Sequence, residues 1–220
     1  MKKILMAVLF AAFGATAAMA QSSAGDVYLK PLIGGTLSTI TKTDDTKMKF
    51  GLVGGAELGY QVTDQFAVTA GALVAMQGTG GKDSEDIKDF SMPLTYLNVP
   101  VLINYSIVPG LTIKAGIQPG FLLTAKTKYT TIALTEGEKD EKSDTDVKDL
   151  MEKFDLSIPV GIAYEFDDFV IDARYNIGLT KILKTAGSVV EPDGSNISTI
   201  GNSSARNSVF MLTFGYKVPL

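Results

Sequence analysis

The sequence has no cysteine and no histidine. The first absence rules out disulfides and thiolate metal sites, and it removes the acylated cysteine that a lipoprotein anchor needs. The second removes the commonest metal ligand and general base. Ser-His hydrolytic catalysis is therefore excluded. A long apolar run is missing too. Beyond residue 20 no segment approaches the roughly 20 apolar residues of a transmembrane helix. Nor is there a clustered basic face of the kind nucleic acid requires. No cofactor, no metal site and no nucleic-acid partner is expected. If such a chain enters a membrane, it must do so as a closed barrel.

What is present begins with an address. Lys2 and Lys3 precede an uncharged apolar run from Ile4 to Phe13, and Ala18-Met19-Ala20 forms an A-x-A cleavage site. That order is the secretory pattern, so residues 1–20 are expected to be a cleaved signal peptide and Gln21 the mature N-terminus. Residues 21–220 are then the barrel domain. Losing Lys2 and Lys3 takes the 20 basic residues to 18 against 24 acidic ones, a net charge of −6.

The mature chain alternates apolar and polar residues over and over. Phe50, Leu52, Ala56, Leu58 and Tyr60 share one face, opposite Gly51, Val53, Glu57 and Gln61. Strict alternation indicates strands rather than helices. Seven such segments are clear: Phe50–Gln61, Phe66–Gln77, Tyr96–Tyr105, Leu111–Phe121, Phe154–Glu165, Phe169–Leu179 and Phe210–Val218. An eighth, Val27–Leu37, is weaker because its two faces differ less. Short links such as Val108-Pro109-Gly110 and Asp167-Asp168 alternate with long polar ones, the outer-membrane pattern of periplasmic turns and external loops. The longest link, about Ala125 to Lys153, carries eight acidic and six basic residues and is read as a solvated loop. Asp146–Lys153 could form a short helix within it.

The face pointing to lipid follows from charge. The apolar rows of the seven clear strands carry no charged residue, and Tyr60, Phe66, Tyr105, Tyr164, Phe169 and Tyr216 flank the short turns like an interfacial aromatic girdle. The other face is small and polar. Its charges are Lys30, Lys114, Arg174 and Lys217 against Glu57, Asp155, Glu165 and Asp172, a balance that suggests internal pairing. An eight-stranded barrel has an interior just wide enough for side chains to fill. Glycines such as Gly55, Gly71, Gly116, Gly161, Gly178 and Gly215 would make room for the larger ones. Glu57, Lys114, Asp172 and Arg174 lie at similar distances from the short turns and are expected to form a structural charge network in the lumen. Pro31, Pro100, Pro119 and Pro159 fall inside strands of a barrel without edges, so bulges or altered register are expected there.

Several segments resemble the PorT-type outer-membrane β-barrel family: Tyr96-Leu97-Asn98-Val99-Pro100-Val101-Leu102, Gly116-Ile117-Gln118-Pro119-Gly120, Phe154-Asp155 leading to Pro159-Val160-Gly161, Asp172-Ala173-Arg174-Tyr175, and Arg206-Asn207. The resemblance implies an all-β fold, an eight-stranded antiparallel up-and-down transmembrane barrel, and it fits the proline positions. It implies little about activity, because that family is functionally mixed. The tail departs from the aromatic ending that barrel-insertion machinery reads, since Tyr216 is followed by Lys217-Val218-Pro219-Leu220.

The expected location is the outer membrane of a Gram-negative-type cell, with lipid and the insertion machinery as partners. An extracellular or envelope protein could bind through the loops. Asp172 and Arg174 could be read as an acid–base pair, but a structural ion pair is the preferred reading and no catalytic residue is expected. Three functional readings remain: a structural or assembly role, loop-mediated adhesion or binding, and a narrow porin-like channel. Eight strands disfavour an open pore. A covalently attached peptidoglycan-binding domain is not expected, because the chain stops just after the last strand.

Overall fold

The computed structural model describes residues 23–41, 46–81, 87–131, 141–184, 186–190, 196–200 and 204–220. The expected signal peptide and its cleavage site lie outside them. Thirteen strands are present among these residues: β1 (Val27–Thr41), β2 (Thr46–Gln61), β3 (Phe66–Gly81), β4 (Ile87–Asn98), β5 (Val101–Val108), β6 (Leu111–Thr131), β7 (Glu141–Asp146), β8 (Phe154–Phe166), β9 (Phe169–Gly178), β10 (Ala186–Val190), β11 (Asn196–Ile200), β12 (Arg206–Tyr216) and β13 (Val218–Pro219).

The ladder runs antiparallel from β1 through β2, β3, β4 with β5, β6, β8 and β9 to β12, and β12 pairs back onto β1. This is an eight-staved closed barrel. β4 and β5 are one stave interrupted at Val99-Pro100, and β13 continues the β12 stave against Tyr28 and Leu29. Closure leaves the spanning region without an open edge, which a membrane demands.

The proline expectation needs correcting. The ladders break at the prolines without slipping. β3 pairs Leu73 with Asn98 and Ala70 with Val101, in one continuous register across Pro100. The β6–β8 pairing skips the stretch around Pro159 and resumes in the same register, Ala115 with Val160 and Gln118 with Ser157. Pro31 falls where β12 gives way to β13. A missing N–H is thus absorbed by losing one local rung, while the pleat on either side fixes register. True register shifts lie away from these three prolines, between Met48 and Val53, Lys88 and Ser91, Thr95 and Tyr96, and Ser106 and Val108.

Strand alternation sorts the faces cleanly. β9 alternates exposed and buried residues from Phe169 to Gly178. The exposed apolar rows, such as Ile33, Leu58, Val74, Ile103 and Phe214, face outward. At the short-turn end the aromatics pack together: Phe66 on Tyr105 (centroids 4.8 Å), and Phe169 on both Phe214 (5.4 Å) and Tyr216 (5.1 Å). In the Val108-Pro109-Gly110 turn, Pro109 fixes one torsion and Gly110 takes φ 81°, a conformation that favours glycine.

The long loop is the second correction. Ala125–Thr131 continues β6, and Glu141–Asp146 is β7, which folds back along it from Lys126↔Asp146 to Thr131↔Glu141. The predicted short helix is a single 3-10 turn, Lys148–Leu150. β6 has 21 residues, about 70 Å of strand at ~3.3 Å per residue. Tilted by about 45°, it rises roughly twice the ~25 Å apolar band, so the β6–β7 hairpin stands beyond the membrane.

Candidate functional site

The lumen is filled in layers above a cavity at the short-turn end. β1, β2 and β9 contribute the lower charged layer together with β6. Register places Lys30 beside Glu57 on β1 and β2, and Lys114 beside Gly161 and Arg174 across β6, β8 and β9. All five charged side chains of this layer are enclosed: Glu57 is 0% exposed, Arg174 1%, Asp172 and Lys30 2%, and Lys114 8%.

The structure brings Glu57, Lys114, Asp172 and Arg174 into one cluster, and Lys30 joins it. Arg174 is the hub. Its Nη2 lies 2.6 Å from Glu57 Oε1 and 2.7 Å from Asp172 Oδ2, while Nε donates to Asp172 Oδ1 at 2.9 Å. Lys114 Nζ reaches Asp172 Oδ2 at 2.5 Å. Lys30 Nζ lies 2.7 Å from Glu57 Oε2 and 3.7 Å from Asp172 Oδ2. Charges so deeply enclosed are tolerable only when paired and hydrogen-bonded.

Three glycines make space for these side chains. A Cβ on Gly71 would meet Glu57 Cγ at 2.7 Å, one on Gly161 would meet both the Ala173 carbonyl oxygen at 2.4 Å and Arg174 Cγ at 2.9 Å, and one on Gly215 would meet Lys30 Cγ at 3.1 Å. Gly55, Gly116 and Gly178 play another part. There a Cβ would run first into neighbouring backbone: Ala72 and Leu73, Val101 and Leu102, and Asn207.

The other three members of the sequence's charge list, Lys217, Glu165 and Asp155, lie outside this cluster. Lys217 pairs with Glu165 nearer the turns and sits over the Tyr28 ring, 4.7 Å from its centroid. Asp155 has no ionic partner among the described residues. Thr180 Oγ1 donates to it at 2.6 Å and Asn207 Nδ2 at 2.9 Å.

Two apolar layers were not legible beforehand. Leu32, Val53, Leu73, Ala75 and Met211 pack together above the charged cluster. At the loop end Val147, Leu150, Met151 and Ile182 turn inward onto Ile40, Leu94, Tyr96 and Leu122. Backbone bonds fix this cap: Glu152 N–H donates to Ile182 C=O (2.9 Å), Ile182 N–H to Ala205 C=O (3.1 Å) and Lys184 N–H to Leu150 C=O (3.0 Å). The available signal was the apolar set Val147, Leu150 and Met151 inside an otherwise charged loop.

Below the charged cluster a cavity of about 160 Å³ opens among the short turns. Lys30, Lys114, Asn104 and Ala67 line its inner part, Glu165 and Lys217 its wall, and Asp64 and Asp167 belong to the turns around it. Among the described residues no group of three or more acidic side chains is placed to hold a metal ion.

A family model described as "Outer membrane protein beta-barrel domain" matches residues 11–184. No curated protein matches the chain. Solved structures similar to it include the attachment invasion locus protein Ail of Yersinia pestis, at 17% identity over 89% of this chain and 99% of that one, with a TM-score of 0.45. OprG of Pseudomonas aeruginosa shares 14% identity over 90% and 98%, with a TM-score of 0.46. Neisserial surface protein A shares 9% over 87% and 97%, with a TM-score of 0.42.

Proposed function

The chain belongs to the outer membrane protein β-barrel domain family, and from that premise we propose that it works as a sealed, non-catalytic barrel with a structural or surface-interaction role. Its place is the outer membrane. The observation that carries the reading is the stack of obstructions in the lumen. A paired charge cluster, an apolar layer and an inward-folded cap follow one another along the barrel axis. Each would have to rearrange before an ion could pass.

The working surface in this reading is the external end. The β6–β7 hairpin carries Lys126 and Lys128 about Asp144, all well exposed, on a ladder that outruns the membrane. A paired two-stranded projection of this kind suits contact with another envelope or extracellular protein. An assembly role among such contacts has only the PorT-type resemblance of the sequence to support it. Catalysis is not proposed, since the sequence has no histidine to act as base.

Planar-bilayer recording of the refolded protein tests the seal. Silence at moderate voltage is expected. Steady, reproducible single-channel steps would replace this reading with that of a narrow channel.

A further inference from the structure

The lumen charges balance four against four in the sequence, but the barrel does not keep them together. Asp155 lies further up β8 than Gly161, the residue level with Arg174, and is held by Thr180 and Asn207. Glu165 and Lys217 neutralise each other nearer the turns. What remains in the middle is three cations, Lys30, Lys114 and Arg174, around two carboxylates, Glu57 and Asp172. One positive charge is in excess where every one of the five side chains is 8% exposed or less. An unpaired charge in such a place is costly, so it needs a counter-ion.

Geometry says where that ion belongs. Lys30 and Lys114 line the short-turn cavity, whereas Glu57, Asp172 and Arg174 do not. Both ammonium groups approach the same oxygen, Asp172 Oδ2, at 3.7 and 2.5 Å, which holds them side by side. An ammonium group has three donors, and among the described residues Asp172 supplies the only carboxylate oxygen within ion-pair distance of Lys114 Nζ. The two lysines therefore present spare donors and net positive charge to the cavity. Asp64 and Asp167 sit in exposed turns at its mouth, where salt screens them. A volume of about 160 Å³ has room for a polyatomic ion and accompanying water.

We propose that the short-turn cavity binds one small oxyanion of the carboxylate or phosphate class, held between the ammonium groups of Lys30 and Lys114. The ion comes from the periplasmic side and leaves by it, because the apolar layer of Leu32, Val53, Leu73, Ala75 and Met211 closes the way above. Bound as a monoanion, it completes the charge balance of the cluster, three positive against three negative.

The test titrates the refolded protein, in non-ionic detergent at fixed ionic strength and mildly acidic pH where inorganic phosphate is largely singly charged, with sodium acetate and with sodium phosphate by calorimetry. Saturable binding of either ion, one per barrel, is expected. Lys114→Met should weaken it tenfold or more. That variant leaves two cations against two carboxylates, so it keeps a balanced cluster. Ala67→Leu narrows the cavity without touching a charge and should weaken binding as well. Lys153→Met, on the exposed loop at the other end, should not. If neither ion gives saturable heat with the wild-type protein, or if Lys114→Met and Ala67→Leu both bind as the wild type does, the site is overturned and the excess charge is instead removed by loss of a lysine proton. Binding is read without any conductance measurement, so it stands or falls apart from the seal.

Discussion

Arg174 and Glu57 meet across the lumen at 2.6 Å, although β12 and β1 stand between their strands. The contact is a chord of the barrel, and Asp172 and Lys114 extend it to β6. Arg174→Ala would leave Lys30 and Lys114 facing Glu57 and Asp172, a balanced set. Its cost comes from lost charge-assisted hydrogen bonds and the void, about 3 kcal/mol. The apolar layer above stays in place. A lowered urea midpoint in refolding titrations is therefore expected together with an unchanged, silent bilayer record.

The outer face gives a prediction graded by depth. Ala72 and Val101 are exposed in mid-strand, and Tyr60 is exposed next to a short turn. Arg at Ala72 or Val101 should cost ~2–4 kcal/mol in lipid, and Arg at Tyr60 only ~0–1 kcal/mol. Equal costs at all three positions, measured by unfolding in vesicles, would show that this face does not meet lipid. The lumen positions Gln77 and Gln118 are packed and buried. Arg there is penalised by crowding, so they are poor controls for the lipid face.

The cap should be the first part to loosen. Met151 and Ile182 are buried against each other's loops, and Met151 forms an isolated bridge with Leu183. Truncating both to Ala should remove ~2–5 kcal/mol per side chain from a short segment with few other anchors. Faster amide exchange at Leu150 and Met151 is expected, with little change in the exchange of β1 and β12. Loss of protection in the whole barrel would instead make the cap part of the barrel's cooperative core.

How much of this was legible depended on parity. A strand's period of two assigns each residue a face, so Glu57, Lys114, Asp172 and Arg174 could be placed on one side from sequence alone. Parity says nothing of depth, which is set by stagger between strands. That is why Asp155 looked like a member of the charge set, while in the barrel it bonds to Thr180 and Asn207. β1 was hard to read because both its faces mix apolar and polar residues, so Lys30 was counted but not placed in the cluster. The extension of β6 past Ala125 was hidden because Lys126, Lys128 and Asp144 stand in water and need no apolar alternation.

The external hairpin should respond to acid. Hydrogen bonding from Lys128, with that from Lys126, holds the Asp144 carboxyl below its usual range. A carboxyl with a lowered folded value stabilises above its unfolded value, about 4, and the contribution disappears as pH falls through the lower folded one. The hairpin should therefore fray only in strong acid, seen as faster exchange at Thr127 and Thr145, and Asp144→Asn should show the same fraying at neutral pH. Because the three groups are exposed, added salt should shrink the difference.

Two glycines of a single strand, one against the charge cluster and one away from it, can be tested against each other. Gly71 and Gly80 both lie in β3, so replacing either with Ala brings the same gain in backbone restriction. They differ in what the new methyl meets. At Gly71 it would come within 2.7 Å of Glu57 Cγ and 2.8 Å of the Ala56 carbonyl, a collision with both a clustered charge and fixed backbone. At Gly80 its nearest neighbours are Lys47 Cβ and Phe90 O at 3.6 Å, an ordinary contact. Glu57 has little freedom to yield, because Lys30 and Arg174 hold its two oxygens at 2.7 and 2.6 Å. Gly71→Ala should cost ~1–3 kcal/mol, as overpacking does, whereas Gly80→Ala should be neutral or slightly stabilising. A cost at Gly71 no greater than at Gly80, measured by equilibrium unfolding, would mean that the charge cluster is loosely packed and that glycine at this position does not set its geometry.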